Sequence, residues 1–190
     1  MALSSSHLVL GGARSGKSRY AVEQAAQSGH RVAFLATARA LDGDMAARIA
    51  RHQAERPARW TTLEEPWDLV ATCRRAAPAH DLILVDCATV WVGNLMERGD
   101  DDAAVLAAAD DLAKLQQKRV VSLVIVSNEV GEGVHPATEV GRRYRDLLGF
   151  VNQRLAAAAD RVTLMVAGIP LAVKDAAPSP TGRETTHEAP

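Results

Sequence analysis

The sequence predicts an α/β domain, a mainly parallel sheet with helices packed on its faces, from three observations. Short apolar runs alternate with segments of helical composition along most of the chain, as in a sheet wrapped by helices. One of those runs, VVSLVIVS at 120–127, is almost continuously β-branched and apolar, the pattern of a strand covered on both faces. A glycine-rich segment stands between the first apolar run and the first helical stretch. At 190 residues, 47% hydrophobic and 24% charged, the chain has the material for one domain with a full core.

The elements follow in order. Residues 7–10 form a short apolar strand that stops at Gly11-Gly12. Residues 17–28 are helical in composition, and Gly29 sits where a C-terminal cap belongs. Residues 31–35 are a second strand. Asp42 or Asp44 opens a helix that Pro57 ends near Arg56. Residues 60–63 are extended, and Pro66 is placed in the first turn of a helix running to Ala76. DLILVD at 81–86 is a buried strand ending in an acid. Helical stretches follow at 90–97 and about 100–118, then the 120–127 strand. Pro136 introduces a long helix, and 161–167 is a last strand. The catalytic domain is expected over 1–174. The tail over 175–190 is rich in Pro, Thr, Ser and charge without periodicity, and is expected to be disordered.

Bulk properties exclude several classes. A net charge of −1 supplies no extended surface for nucleic acid or anionic membrane. Cys73 and Cys87 form neither a CxxC pair nor a His/Cys cluster, so they read as buried thiols in a reducing compartment. The N-terminal segment lacks a basic start and a long apolar core, and no stretch reaches the length of a membrane span. Cytoplasm is the expected location.

Gly11-Gly12-Ala13-Arg14-Ser15-Gly16-Lys17-Ser18 matches G-x-x-x-x-G-K-[ST] without exception, which makes the fold a P-loop NTPase. The glycines let backbone N–H groups converge on phosphate oxygens. Lys17 can offset charge on the β- and γ-phosphates, and the Ser18 hydroxyl can ligate Mg2+. The helix that follows adds its positive end. Asp86, closing a buried strand, suits a Walker-B role at the same cation. The guanine-reading N-K-x-D motif is absent from the sequence, and the D-x-x-G at 146–149 lies inside a helical pattern. A signalling GTPase is therefore not expected.

On a helix over 44–56, Arg48, His52 and Arg56 share one side at i, i+4 and i+8. Flanking arginines favour a neutral, nucleophilic imidazole and can grip phosphate. Spacing alone leaves a solvated basic face as the simpler reading.

An ordered motif series goes further. GGARSGKS, the ATA of Ala36-Thr37-Ala38, D-x-x-M-x-x-R-I-x-x-H-x-x-x-R-P-x-x-W through Trp60, and Glu64 resemble the bifunctional adenosylcobinamide kinase / adenosylcobinamide-phosphate guanylyltransferase family of cobalamin biosynthesis. LVDCATVWVGNL at 84–95, VSNEVGEG at 126–133 and YRDLLGFVNQRLAAAAD at 144–160 continue the resemblance. It covers nearly the whole chain up to Lys174. Phe150 departs from the arginine common in the family, and Val134-His135-Pro136 from I-V-P.

The resemblance implies a RecA-like fold and a homo-oligomer, with a trimer favoured. It implies that the P-loop and Ala36, Thr37 and Ala38 contact the nucleotide, GTP or, for the kinase step, ATP. His52 would carry GMP covalently, with Gln53, Ala54, Glu55 and Arg56 beside the nucleotide. Glu64 and Asp86 match acidic positions of that site. The substrates implied are adenosylcobinamide and its phosphate. Two other readings suit a P-loop chain: a small-molecule kinase that moves only the γ-phosphoryl group, and a non-catalytic nucleotide switch or assembly module. The full motif series opposes the first. The histidine helix and the missing N-K-x-D oppose the second.

Other polar groups carry less. Asn128-Glu129 follows a strand, where α/β proteins bind ligands, and reads either as functional or as a turn-stabilising pair. On the Pro136 helix, Val140, Tyr144, Leu147, Leu148, Val151 and Leu155 gather on one face. Arg142, Arg145, Asp146, Asn152 and Gln153 gather opposite, as a solvated face or a border to corrinoid or subunit. Trp60, Trp67 and Trp91 are expected in the core. The remaining histidines have no zinc-ligand spacing.

Overall fold

The computed structural model describes residues 4–28, 31–39 and 56–175. The expected helix ending at Arg56, with His52, Gln53, Ala54 and Glu55, lies outside the described residues up to Arg56 itself, as does the tail beyond Asp175.

Among the described residues seven strands form one sheet: β1 (Ser6–Gly11), β2 (Val32–Ala36), β3 (Thr61–Glu64), β4 (Leu82–Asp86), β5 (Ser122–Val126), β6 (Arg161–Val166) and β7 (Ile169–Lys174). Their order is β3-β2-β4-β5-β1-β6-β7. All neighbours pair in parallel except β6 with β7. The helices are α1 (Lys17–Gln27), α2 (Leu69–Ala76), α3 (Ala88–Arg98), α4 (Asp102–Lys118) and α5 (Glu139–Ala158).

Side chains alternate across the sheet, and both faces are covered. Leu8, Leu35, Ile83, Val85, Leu123 and Ile125 pack with α2 to α5. Val9, Phe34, Leu82, Leu84, Val124 and Val126 pack with Ala21 and Ala25 of α1. This two-sided burial is why the central strands read as unbroken apolar runs.

The register sets the carboxyl ends of the strands level. Glu64 pairs with Ala36, Ala36 with Asp86, and Asp86 with Val126, so one row crosses four strands. β5 separates β1 from β4. The P-loop strand and the Asp86 strand thus flank it, and the chain leaving β5 emerges between them.

Several sequence expectations are corrected. Pro66 does not sit in a first turn; its helix begins three residues later, at Leu69, and Pro136 stands three residues ahead of the long helix it introduces, which starts at Glu139. Local side chains decide the starts. Glu65 Oε1 accepts the N–H groups of Trp67 and Asp68 at 3.0 and 2.9 Å, and the Thr138 hydroxyl accepts Gly141 N–H at 3.1 Å. On α5, Val140 is exposed rather than core, and Asn152 is buried rather than solvated. Trp60 and Trp91 are buried, but Trp67 is exposed, with the Arg39 guanidinium 5.4 Å from its ring centroid. Cys73 is buried, whereas Cys87 is only partly so.

β7 escapes sequence reading altogether. All six of its residues are exposed and one is Pro170, so no alternation marks it. It is an antiparallel edge strand, where proline is tolerated. Ala167 and Gly168 make the turn with φ of 50° and 84°, the left-handed geometry that two-residue hairpins need.

Candidate active site

β1 delivers the chain to a turn that a larger residue would not permit. Gly11 has φ of 154°, and a Cβ there would stand 2.5 Å from Ser15 Oγ and 2.8 Å from the Met165 carbonyl. Gly16, at φ 91°, then starts α1. Within the loop Ser15 N–H donates to the Gly12 carbonyl at 3.3 Å. The Lys17 ammonium folds back on the same carbonyl at 3.0 Å.

Beside this loop opens a cleft of about 950 Å³. Of the residues singled out in the sequence, Arg14, Ser15, Gly16, Lys17, Ser18, Arg56 and Asp86 line it. Gly11, Gly12 and Ala13 form the turn behind without lining the cleft. Ala36, Thr37, Ala38 and Glu64 stand near it at the ends of β2 and β3 rather than on its wall.

Two polar groups on this wall lack a partner. Ser15 Oγ and one guanidinium nitrogen of Arg56 are buried without a hydrogen bond among the described residues. Leaving such donors unmet costs about 1–3 kcal/mol each, so their natural complement is an anionic ligand. The Arg56 guanidinium lies 3.4 Å from the centroid of the Phe34 ring. Burial lowers its pKa, and the charges of Asp86 and Glu64 counter that. A planar cation held against an aromatic face is already positioned for phosphate.

The turn between β6 and β7 closes the cleft from the other side. Gly168 N–H donates to the Ser15 carbonyl at 2.9 Å, and Ala167 and Gly168 line the wall. Neither was singled out from the sequence. The Ala-Gly pair after an apolar run was the only available signal.

A glycine-rich loop between strand and helix, with an acid closing a strand one removed in the sheet, defines a RecA-like P-loop protein acting on nucleoside triphosphates. A solved ATPase from the type III secretion system of pathogenic bacteria has the same fold, at TM-score 0.56 and 11% identity over 85% of this chain and 51% of that one. Residues 7–173 match the family described as cobinamide kinase / cobinamide phosphate guanyltransferase, and the chain belongs to it. It is therefore an enzyme of cobalamin biosynthesis with kinase and guanyltransferase activities.

It is 47% identical over 167 residues to the bifunctional adenosylcobalamin biosynthesis protein CobP of Pseudomonas aeruginosa, covering 88% of this chain and 96% of that protein. Identity to the bifunctional adenosylcobalamin biosynthesis proteins CobU is 44% in Salmonella typhimurium and 38% in Escherichia coli, covering 88% of this chain and 98% of each. Among the described residues, no helix is long and apolar enough to cross a membrane.

Proposed function

We propose that the enzyme first phosphorylates the terminal hydroxyl of the aminopropanol arm of adenosylcobinamide with the γ-phosphoryl group of GTP or ATP. It then takes GMP from GTP onto His52, releasing pyrophosphate, and passes GMP to the cobinamide phosphate to form adenosyl-GDP-cobinamide. The observation that supports this reading is the pair of buried polar atoms without a hydrogen bond among the described residues, Ser15 Oγ and one guanidinium nitrogen of Arg56, on the wall of the P-loop cleft.

Each residue has a role in the proposal. Lys17 spreads the charge that develops on the transferring phosphoryl group. The P-loop backbone from Gly11 to Ser18 grips the phosphates, with Ala36, Thr37, Ala38 and Glu64 flanking the nucleotide. His52 supplies the covalent step, which splits one transfer between polyanions into two easier ones. Gln53, Ala54, Glu55 and Arg56 accompany it. The Ser18 hydroxyl and Asp86 carboxylate both line the cleft and are oxygen donors, the type Mg2+ requires. They would hold that ion, whose charge offsets that of the triphosphate.

The proposal extends to a cytoplasmic homo-oligomer, a trimer, whose catalytic unit is residues 1–174. The test is incubation of the pure protein with α-labelled GTP, followed by denaturation. Label retained on the chain supports the covalent route. Adenosyl-GDP-cobinamide made by a protein that never labels would mean direct transfer.

A further inference from the structure

The chain leaving β5 emerges between the P-loop strand and the Asp86 strand, and Glu129 stands there. Its N–H donates to the carbonyl of Gly11, the first P-loop glycine, at 3.1 Å. Any residue could supply that bond, so turn stability does not explain a carboxylate.

Beneath it lies a buried polar network. Ser127 and Asn152 are 0% and 4% exposed, and the Ser127 hydroxyl donates to Asn152 Oδ1 at 2.7 Å. Asn152 Nδ2 donates to the Asn128 carbonyl at 2.9 Å and to Glu129 Oε1 at 3.1 Å. Thr89 Oγ1 accepts Asn128 N–H at 2.7 Å. Buried networks of this kind rigidify what they hold, and apolar packing would serve stability as well. What this one holds is the 128–129 segment, with one carboxylate oxygen fixed. The other oxygen has no hydrogen bond among the described residues.

We infer that Glu129 is the base of the phosphoryl-transfer step, a role that rests on the kinase reading above. Its free oxygen takes the proton of the acceptor hydroxyl as that oxygen bonds to the γ-phosphorus. The bond from the γ-phosphorus to the β–γ bridging oxygen breaks, and the nucleoside diphosphate leaves with that electron pair. The products are a phosphate monoester and the diphosphate, and Glu129 returns its proton to solvent. Burial raises its pKa above the ordinary 4.5, Asn152 pulls it down, and the charge of Glu132 raises it further. The net effect is a stronger base than an exposed carboxylate. Guanylyl transfer to histidine needs no deprotonated hydroxyl, so Glu129 serves one half-reaction only.

Glu129→Gln keeps the size and the acceptor facing Asn152 while removing the base. Its kcat for phosphorylating adenosylcobinamide should fall about a hundredfold or more. Nucleotide KM and the extent of labelling by α-labelled GTP should stay at wild-type values. Glu129→Asp, which draws the carboxylate back, should lower kcat to an intermediate level with the same labelling. Phosphorylation near the wild-type rate in either variant, or labelling lost in step with it, overturns the assignment. Wild-type enzyme that labels but never phosphorylates adenosylcobinamide would sink the kinase reading itself, and the base with it.

Discussion

The hydroxyl of Thr37 ties together the two sides of Cys87. It donates to the Cys87 carbonyl at 2.9 Å and accepts the Cys87 N–H at 2.8 Å. Thr37 N–H also donates to the Asp86 carbonyl at 3.2 Å, and Asn94 holds the Thr37 carbonyl at 2.8 Å. With 0% exposure, the side chain of Thr37 sets where the carboxyl end of β4, and so Asp86, is held.

Thr37→Val keeps the shape and strips both hydroxyl bonds, leaving the Cys87 N–H unpaired while the Cys87 carbonyl keeps only the Trp91 N–H at 3.2 Å. Stability should fall by about 1–3 kcal/mol, read from urea unfolding, and nucleotide KM should rise as Asp86 loosens. Thr37→Ser should restore most of both. Unchanged unfolding in Thr37→Val would mean the hydroxyl contributes nothing here.

Lys17→Ala should damage both half-reactions, because each needs the triphosphate held and its charge offset. The expected loss is about 3 kcal/mol or more of transition-state stabilisation, roughly a hundredfold in rate for each. Steady-state assays of phosphorylation and guanylyl transfer check it. Near-normal phosphorylation would remove the basis of the site.

His52→Ala should separate the activities. The variant should lose covalent GMP and stop at adenosylcobinamide phosphate, with some kinase activity surviving. The wild-type adduct, a phosphoramidate, should be acid-labile and persist in mild alkali. His80→Ala and His135→Ala should keep the label. Covalent GMP retained by His52→Ala would place the nucleophile elsewhere.

His7 makes β1 sensitive to acid. The Arg161 guanidinium only donates, so its 3.2 Å contact makes His7 Nδ1 an acceptor and leaves Nε2–H to donate to Thr163 at 2.8 Å. The ring is therefore neutral. Burial, then the charge of Arg161, push its pKa from 6.5 down to about 4, against an opposing pull from Asp175. A depressed folded pKa means the unfolded chain takes the proton first. The stability is whole above pH 6.5 and is lost as pH falls toward 4. At about 1.4 kcal/mol per pH unit, the loss reaches roughly 3 kcal/mol. Urea midpoints at pH 7 and pH 4.5 should fall further for wild type than for His7→Gln; equal falls would mean the ring is protonated when folded.

Ending the chain after Lys174 should leave melting temperature and both activities nearly unchanged. Lys174 itself must stay, since its ammonium donates to the Ala156 and Ala157 carbonyls at 3.1 and 3.0 Å, at the end of α5. A clear loss in the truncated protein would show that the tail docks.

The sequence by itself determined the P-loop, the strand closed by Asp86 and the central sheet. Each is written in adjacent residues: a motif at fixed spacing, or an apolar run forced by burial on both faces. The family was legible for the same reason, as an ordered series of short motifs. Tertiary structure alone decided that Asn152 turns inward, because its partner Ser127 lies 25 residues away and helical periodicity counts asparagine as polar. It alone decided that Thr37 serves Cys87, 50 residues on, and that the guanidinium of Arg56 lies on Phe34. The β6–β7 turn meets Ser15 across most of the chain. Hydrogen bonds and ring contacts between distant residues leave no local pattern, since each needs only a compatible partner brought close by the sheet.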